Sequence, residues 1–437
     1  MFKKLLVMLI CVVLLFSACA ENSSEPEGKP TGTDVQAETG AEQELSQKIS
    51  EDRAARIKSD LMMIKEELPR KHKNPFSIIT QADFDAALDG LAEKSADLSD
   101  EQVMVELKRI IASIGDAHTH LNCDEHFFYP IELQMFGSDL YVINTDKSLE
   151  DMMFSKVVKI GDTDIDEVIT QLTTLIPHEN DNWLSVMLPQ SLEVPTYLYG
   201  LGIIDSQEHA IFTVEKNGEA KTFDITSIPR GNKIEFINND ENDVLRGTYQ
   251  KYYDYEYLPQ YEALYFEYNS CMEMSQRKME PFVQEMFADI EREGAEKIIV
   301  DLRRNGGGNS SVLHPFTERL AAYIGEGKKT KVYILISRRT ISSGIFAIFD
   351  IKQAAQAAVV VGQPTGGALD CYGDIKTLTL PNLKMSISYS TKYFEFSKKY
   401  NIKNPEGNMF SPDVFIESSI EDYEKGRDAV LEYVLAD

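Results

Sequence analysis

Cysteine, tryptophan and histidine are all scarce in this chain: five, one and seven among 437 residues. Cys11 lies inside an apolar N-terminal stretch and Cys19 closes it, so only Cys123, Cys271 and Cys371 remain for a folded body. That odd, widely spaced trio contains no Cys-x-x-Cys pair, which excludes a disulfide framework and a cysteine-built zinc site. Basic residues are also few, 44 against 71 acidic, for a net charge of −27. Such a surface argues against nucleic acid or an anionic membrane as a direct partner. The longest apolar run, Leu5 to Phe16, is shorter than a comfortable bilayer span. No internal repeat is found.

What is present describes a globular, exported protein. Hydrophobic residues make up 43% and aromatics 10%, a folded composition, and the length implies two or three domains. "MFKK" followed by "LLVMLICVVLLF" and the small residues of "SAC" reads as a signal for export. Phe16-Ser17-Ala18-Cys19 resembles the bacterial lipobox, with the usual leucine one place early at Leu15. The resemblance implies a signal peptide over 1–18 and lipidation of Cys19. The acidic segment 19–45 then reads as a flexible tether on the outer side of a bacterial cell membrane, with lipid as the sole membrane contact.

Apolar spacing of three and four predicts a helical domain over 46–122, with Ser99 and an acidic turn opening one helix. Residues 123–231 read as a mixed α+β domain, including a hairpin around Asn217-Gly218. From 232 to 437 buried β runs alternate with helices, the pattern of an α/β layered core.

Three stretches carry candidate chemistry. "YILISRRTISSGIFAIFD" places Ser342 and Ser343 between a buried strand and a helix, either as a helix cap or as a nucleophile at the corner. "KIIVDLRRNGGGNSS" puts Gly306, Gly307 and Gly308 in a similar turn, either a plain tight turn or a row of N–H donors. Neither a Gly-Lys-Ser/Thr nor a third dinucleotide-type glycine follows, so both phosphate-loop patterns fail. "SIGDAHTHL" holds Asp116, His118 and His120. His-x-His on one strand face, with His126 nearby, is a minor metal reading against a hydrogen-bonded structural histidine.

Taken together, "IIVDLRRNGGG", "RRTISSGIFA", "VVVGQPTGGALDCYGD" and "GDAHT" resemble the tail-specific, or carboxyl-terminal processing, serine proteases. The similarity runs in order over roughly residues 50 to 430 and points to the tricorn-like branch without a Ser–Lys dyad. It implies a crotonase/ClpP-like α/β catalytic core behind the helical domain, and a PDZ-like middle domain, since "SKVVKIGDTDIDEVI" is similar to that stretch of the family. It implies Ser343 as nucleophile, with Gly344 and Gly307 as oxyanion donors. The family's lysine has no counterpart in Thr365-Gly366-Gly367-Ala368, so the base carries over to His118. The acid carries over to Glu406 in "NPEGNMFSPDVFI". Peptides or unfolded protein tails are the implied substrates, without cofactor or metal. A catalytically inactive lipoprotein binding peptides or apolar ligands on the same fold is the competing reading. Arg303, Arg338 and Arg339 are expected at the surface, and "LPNLKMSISYSTKYFEF" as edge strands.

Overall fold

The computed structural model describes residues 34–237, 251–402 and 406–437, the side chains of residues 34–46 and of Glu406 excepted. The signal segment and Cys19 therefore lie outside the described residues. Asp52–Asp437 form one compact unit, which carries the sheets and the candidate site.

Helix α1 spans Asp34–Lys71, so it begins inside the segment expected to be a flexible tether. Alanine, glutamate and glutamine dominate that stretch and are strong helix formers, which local composition read as spacer had obscured. Ile57, Leu61, Ile64 and Leu68 recur one turn apart along α1 and are buried. α2 (Gln81–Lys94) is capped by Thr80 and buries Phe84, Leu88 and Leu91. α3 (Asp100–Ala112) opens on a reciprocal Ser99–Gln102 capping box, satisfying two otherwise orphan N–H groups.

The middle region contains β1 (His120–Asn122), β2 (Phe127–Phe128), β3 (Ile131–Phe136), β4 (Asp139–Thr145), β5 (Lys156–Ile160) and β6 (Thr163–Asp164). Helices α4 (Ile165–Thr173), α5 (Asp181–Leu192) and α6 (Pro195–Gly200) interrupt it before β7 (His209–Lys216), β8 (Glu219–Thr226) and β9 (Ile228–Pro229). An antiparallel sheet runs in the order β3-β4-β5-β7-β8, with β6 on β5. Asn217 and Gly218 turn the β7–β8 hairpin, both at positive φ, as a two-residue hairpin loop demands. The sheet and the three preceding helices share one apolar core.

The C-terminal part is layered. β10 (Tyr253–Leu258), β11 (Ala263–Tyr268), α7 (Met279–Glu293), β12 (Lys297–Asp301), α8 (His314–Gly325) and β13 (Lys331–Ile336) come first. α9 (Ser343–Ala354), β14 (Val359–Gly362), β15 (Asp370–Leu380), β16 (Met385–Glu395), α10 (Phe396–Lys399), β17 (Val414–Phe415), α11 (Ile420–Glu424) and α12 (Ala429–Ala436) follow. The sheet order is β10-β11-β12-β13-β14-β17, parallel throughout except for β10. α7, α8 and α9 cover one face with Phe282, Phe287, Phe316 and Ile348, while Val430 and Val434 of α12 cover the other. Both faces are thus dry, which explains the near-continuous apolar runs of these strands. β15 and β16 form a long hairpin, and β16 pairs on its other side with β1. The stretch expected as edge strands, Leu380–Phe396, is essentially β16, which lies between β1 and β15 and is not an edge. The pairing of β1 with β16 fixes the chain just after His118.

Candidate active site

The turns after β12 and β13 are laced together by hydrogen bonds at the carboxyl ends of the parallel strands, where open α/β sheets place their sites. Thr340 Oγ1 donates to Leu302 O at 2.8 Å and Ser337 Oγ donates to Arg303 O at 2.5 Å. Asn305 works as a buried bracket. Its Nδ2 donates to Tyr268 O at 2.7 Å, its Oδ1 accepts the Gly307 N–H at 2.9 Å, and its carbonyl accepts the Ile341 N–H at 3.0 Å. Gly344 is held close: an added Cβ would lie 2.6 Å from Asn305 O.

At this corner the two serines part. Ser342 has φ 52° and ψ −127° and makes no cap hydrogen bond to α9. This is a sparsely populated backbone region, costing of order 1–3 kcal/mol for a non-glycine residue. A Cβ on Gly307 would come 2.7 Å from Ser342 Cβ and 3.1 Å from its Oγ. Ser343 is 6% exposed and its hydroxyl donates to Gly308 O at 2.7 Å. Ser342 is thus a strained, half-exposed hydroxyl, and Ser343, the serine expected as nucleophile, is buried with its hydroxyl tied to the glycine turn. The N–H groups expected as oxyanion donors are both engaged, Gly307 with Asn305 Oδ1 and Gly344 with Ile341 O at 2.9 Å. Among the described residues the Ser343 N–H, beside Gly307, has no acceptor.

His118 belongs to a second cluster. Asp116 is fully buried and accepts from Thr119 Oγ1 at 2.6 Å, the His118 N–H at 2.9 Å and His72 Nε2 at 3.0 Å. His72 Nδ1 accepts the Asn74 N–H, so Nε2 carries the proton given to Asp116. Burial works to raise the Asp116 carboxyl, but these hydrogen bonds, led by that of His72, hold it below its ordinary value. His118 Nδ1 lies 3.8 Å from Asp116 Oδ1, beyond hydrogen-bond reach, and is buried without a partner. Burial lowers the imidazole's pKa, with Asp116 partly opposing, so the ring is neutral near pH 7. Glu179 Oε1 accepts the Ala117 N–H at 3.1 Å, and burial, with the Asp116 charge, pushes its carboxyl up to about 8. Neither Glu179 nor His72 is legible as a site residue in the sequence, since neither sits in a patterned motif.

One strap joins the two clusters. Asn180, next to Glu179, donates from Nδ2 to Gly366 O at 3.0 Å, and Gly367 N–H bonds Thr340 O at 3.2 Å. An added Cβ on Gly366 would sit 1.9 Å from Arg338 O, and one on Gly367 2.8 Å from Ile341 Cα. Glycines at 366 and 367 are what let this loop lie against the serine turn. Glu406 opens a short turn, Glu406–Asn408, and its side chain lies outside the described residues. The minor metal reading of His118, His120 and His126 finds no such grouping among the described residues, where the ligand-type cluster is Asp116, His118 and Glu179. Arg303 is not a surface residue but is 5% exposed between Asp301 and Asp428.

A cleft of about 400 Å³ opens between β3, α5 and the turn Ser337–Arg339. In it Glu193 Oε1 accepts the Leu133 N–H at 2.9 Å, on the free edge of β3. Burial, opposed by that Leu133 hydrogen bond and by Arg339 and reinforced by Glu132, pushes the Glu193 carboxyl up to about 8. A carboxyl raised on folding favours the native state when protonated, so this contribution is complete below the ordinary carboxylate range and declines as pH rises towards 8. Glu193→Gln keeps the acceptor and never ionises. Its melting temperature should gain on the parent between pH 5 and pH 8 and keep a constant lead above that, at roughly 2 °C per kcal/mol. Paired thermal melts across that range check it, and parallel curves would remove the carboxyl from the explanation.

These features define a layered α/β fold with two serines at the corner where α9 begins. No family model matches the chain, and no curated protein matches it. Among solved structures, mature CPAF complexed with lactacystin superposes with a TM-score of 0.62 at 10% identity, over 88% of this chain and 98% of that one. A second structure of mature CPAF gives 0.60 at 9% identity, over 88% and 97%. The photosystem II D1 C-terminal processing protease overlaps at 0.39 and 12% identity, over 83% and 93%. The chain shares the CPAF fold across nearly its whole length.

Proposed function

We propose that this protein is a serine peptidase that cleaves peptides or unfolded protein tails through an acyl-enzyme. The observation that carries the proposal is Ser342, held at φ 52° and ψ −127° with no cap bond, against Gly307 and the unpartnered Ser343 N–H. Backbone strain with no structural bond to account for it is concentrated at functional sites, and a serine nucleophile is one such group. In this reading Ser342 Oγ attacks the scissile carbonyl and its proton passes to His118, which is neutral and able to accept it. The developing oxyanion is received by the Ser343 N–H and by the glycine turn, where Gly307 N–H exchanges Asn305 Oδ1 for the oxyanion. The C–N bond breaks as His118 returns the proton to the leaving amine, and water then cleaves the Ser342 ester. Glu406 is proposed as the acid that holds the imidazole, and the middle sheet as PDZ-like. Lipidated Cys19 would tether the enzyme outside the cell membrane.

The competing reading, a binding protein without catalysis, draws on the engaged Gly307 N–H and the unpartnered His118. Labelling of the purified protein with a fluorophosphonate decides between them, with lactacystin as a second probe because mature CPAF was found complexed with it. The expected result is labelling of the parent and of Ser343→Ala, and none of Ser342→Ala or His118→Ala. Labelling that follows Ser343 would return the nucleophile to that residue. A folded parent that never labels would favour binding.

A further inference from the structure

We propose that Asp116, His118 and Glu179 form a binding site for a divalent transition ion of the Zn²⁺ class, and that the bound ion silences the histidine. The effect on the enzyme rests on the peptidase reading; the site itself does not.

The three side chains offer one ligand atom each, all within 4.8 Å of one another. A tetrahedral zinc ion with bonds of about 2.0–2.1 Å holds its ligands roughly 3.3 Å apart. Closing the difference takes a side-chain rotation, and Glu179, with three rotatable bonds, can supply it. The independent sign of a ligand is His118 Nδ1, a buried ring nitrogen with no partner, pointing at a carboxylate 3.8 Å away that it does not bond. A buried ring nitrogen left unpaired is costly, and an ion between Nδ1 and Asp116 Oδ1 would satisfy both. Asp116 is already oriented for this: His72 and Thr119 hold its other oxygen, the outer bonding that steadies metal-ligating carboxylates. One nitrogen and two carboxylate oxygens suit zinc and its neighbours better than magnesium or calcium, which prefer oxygen alone. Burial first, and then the Glu179 and Asp116 charges, push the Cys371 thiol up.

The consequence follows from the ring's two nitrogens. With Nδ1 on the ion, the imidazole proton resides on Nε2 and no lone pair remains to accept one from serine. Zinc is thus a reversible inhibitor, not a cofactor.

Titrating ZnCl₂ into the purified protein by calorimetry, with MgCl₂ and CaCl₂ as controls, tests the site directly. One saturable zinc site is expected, weakened roughly tenfold or more in Glu179→Gln and in His118→Gln, with no uptake of magnesium or calcium. Thermal melts show whether each variant is folded, and Cys371→Ser shows whether the thiol contributes. Fluorophosphonate labelling should fall with the same midpoint and return with chelator. Absence of saturable binding, or affinity unchanged in both folded variants, overturns the inference. Labelling without zinc binding leaves the peptidase standing and removes the site. Zinc binding that depends on Glu179, in a protein that never labels, keeps the site and removes the peptidase.

Discussion

Gly307→Ala is expected to slow fluorophosphonate labelling roughly 10²–10³-fold, the loss seen when an oxyanion donor is removed, while Gly306→Ala leaves it nearly unchanged. The two neighbours differ in what a methyl group would meet. At Gly307 it would lie 2.7 Å from Ser342 Cβ, 3.0 Å from Ser343 N and 3.1 Å from Ser342 Oγ, with the backbone at φ +95°. Two of those atoms are fixed by the turn and by α9, so neither can step aside. The serine would have to leave its strained position or the glycine turn would have to open, and either separates the hydroxyl from its N–H donor. At Gly306 nothing lies within 4 Å, so a methyl there points into open space and costs little. Rates of labelling for the two variants, beside thermal melts, make the comparison. If Gly307→Ala folds and labels at the parent rate, the glycine turn does not belong to the site. Equal losses in both variants would indicate a damaged loop and not a blocked corner.

The layered α/β core was legible in advance because its strands are buried on both faces and read as apolar runs between helix patterns. The glycine turn, the serine corner and the histidine loop were also visible, as short patterned stretches. Which of Ser342 and Ser343 faces outward was not. Adjacent residues at a strand–helix corner differ only in backbone dihedrals, and composition is silent on those. The engagement of the Gly307 and Gly344 N–H groups was hidden for a similar reason: it depends on Asn305 Oδ1 and Ile341 O, which tertiary contacts bring to them. Glu179 and His72 lie far from His118 in sequence and sit in no motif, so nothing short-range marks them. Arg303 misled in the opposite direction. Arginines are mostly exposed, and only the folded chain brings Asp428 to it across the sheet.

That arginine supplies the largest stability effect expected here. Arg303 Nε and Nη2 reach Asp301, at 3.0 and 2.6 Å, and Nη1 reaches Asp428 Oδ1 at 2.8 Å. Asp428 also caps α12 through the Leu431 N–H, so one guanidinium joins the end of β12 to the helix covering the sheet. Arg303→Met fills a similar volume but leaves two carboxylates, each nearly inaccessible to water, without a counter-charge. Breaking a buried ion pair from one side costs about 3–5 kcal/mol, a large share of the roughly 5–15 kcal/mol that holds a domain folded. Urea denaturation near neutral pH should show that loss. The deficit should shrink as pH falls, because the abandoned carboxyls can then be buried in neutral form. With Asp301→Asn and Asp428→Asn added, it should shrink at neutral pH as well. The same variant should label poorly even where it is folded, since the carbonyl of residue 303 receives the Ser337 hydroxyl and so anchors the turn that presents Ser342. A loss that does not change with pH would mean packing, not charge, is what Arg303 contributes. In that case the serine corner stands independently of the ion pair beneath it.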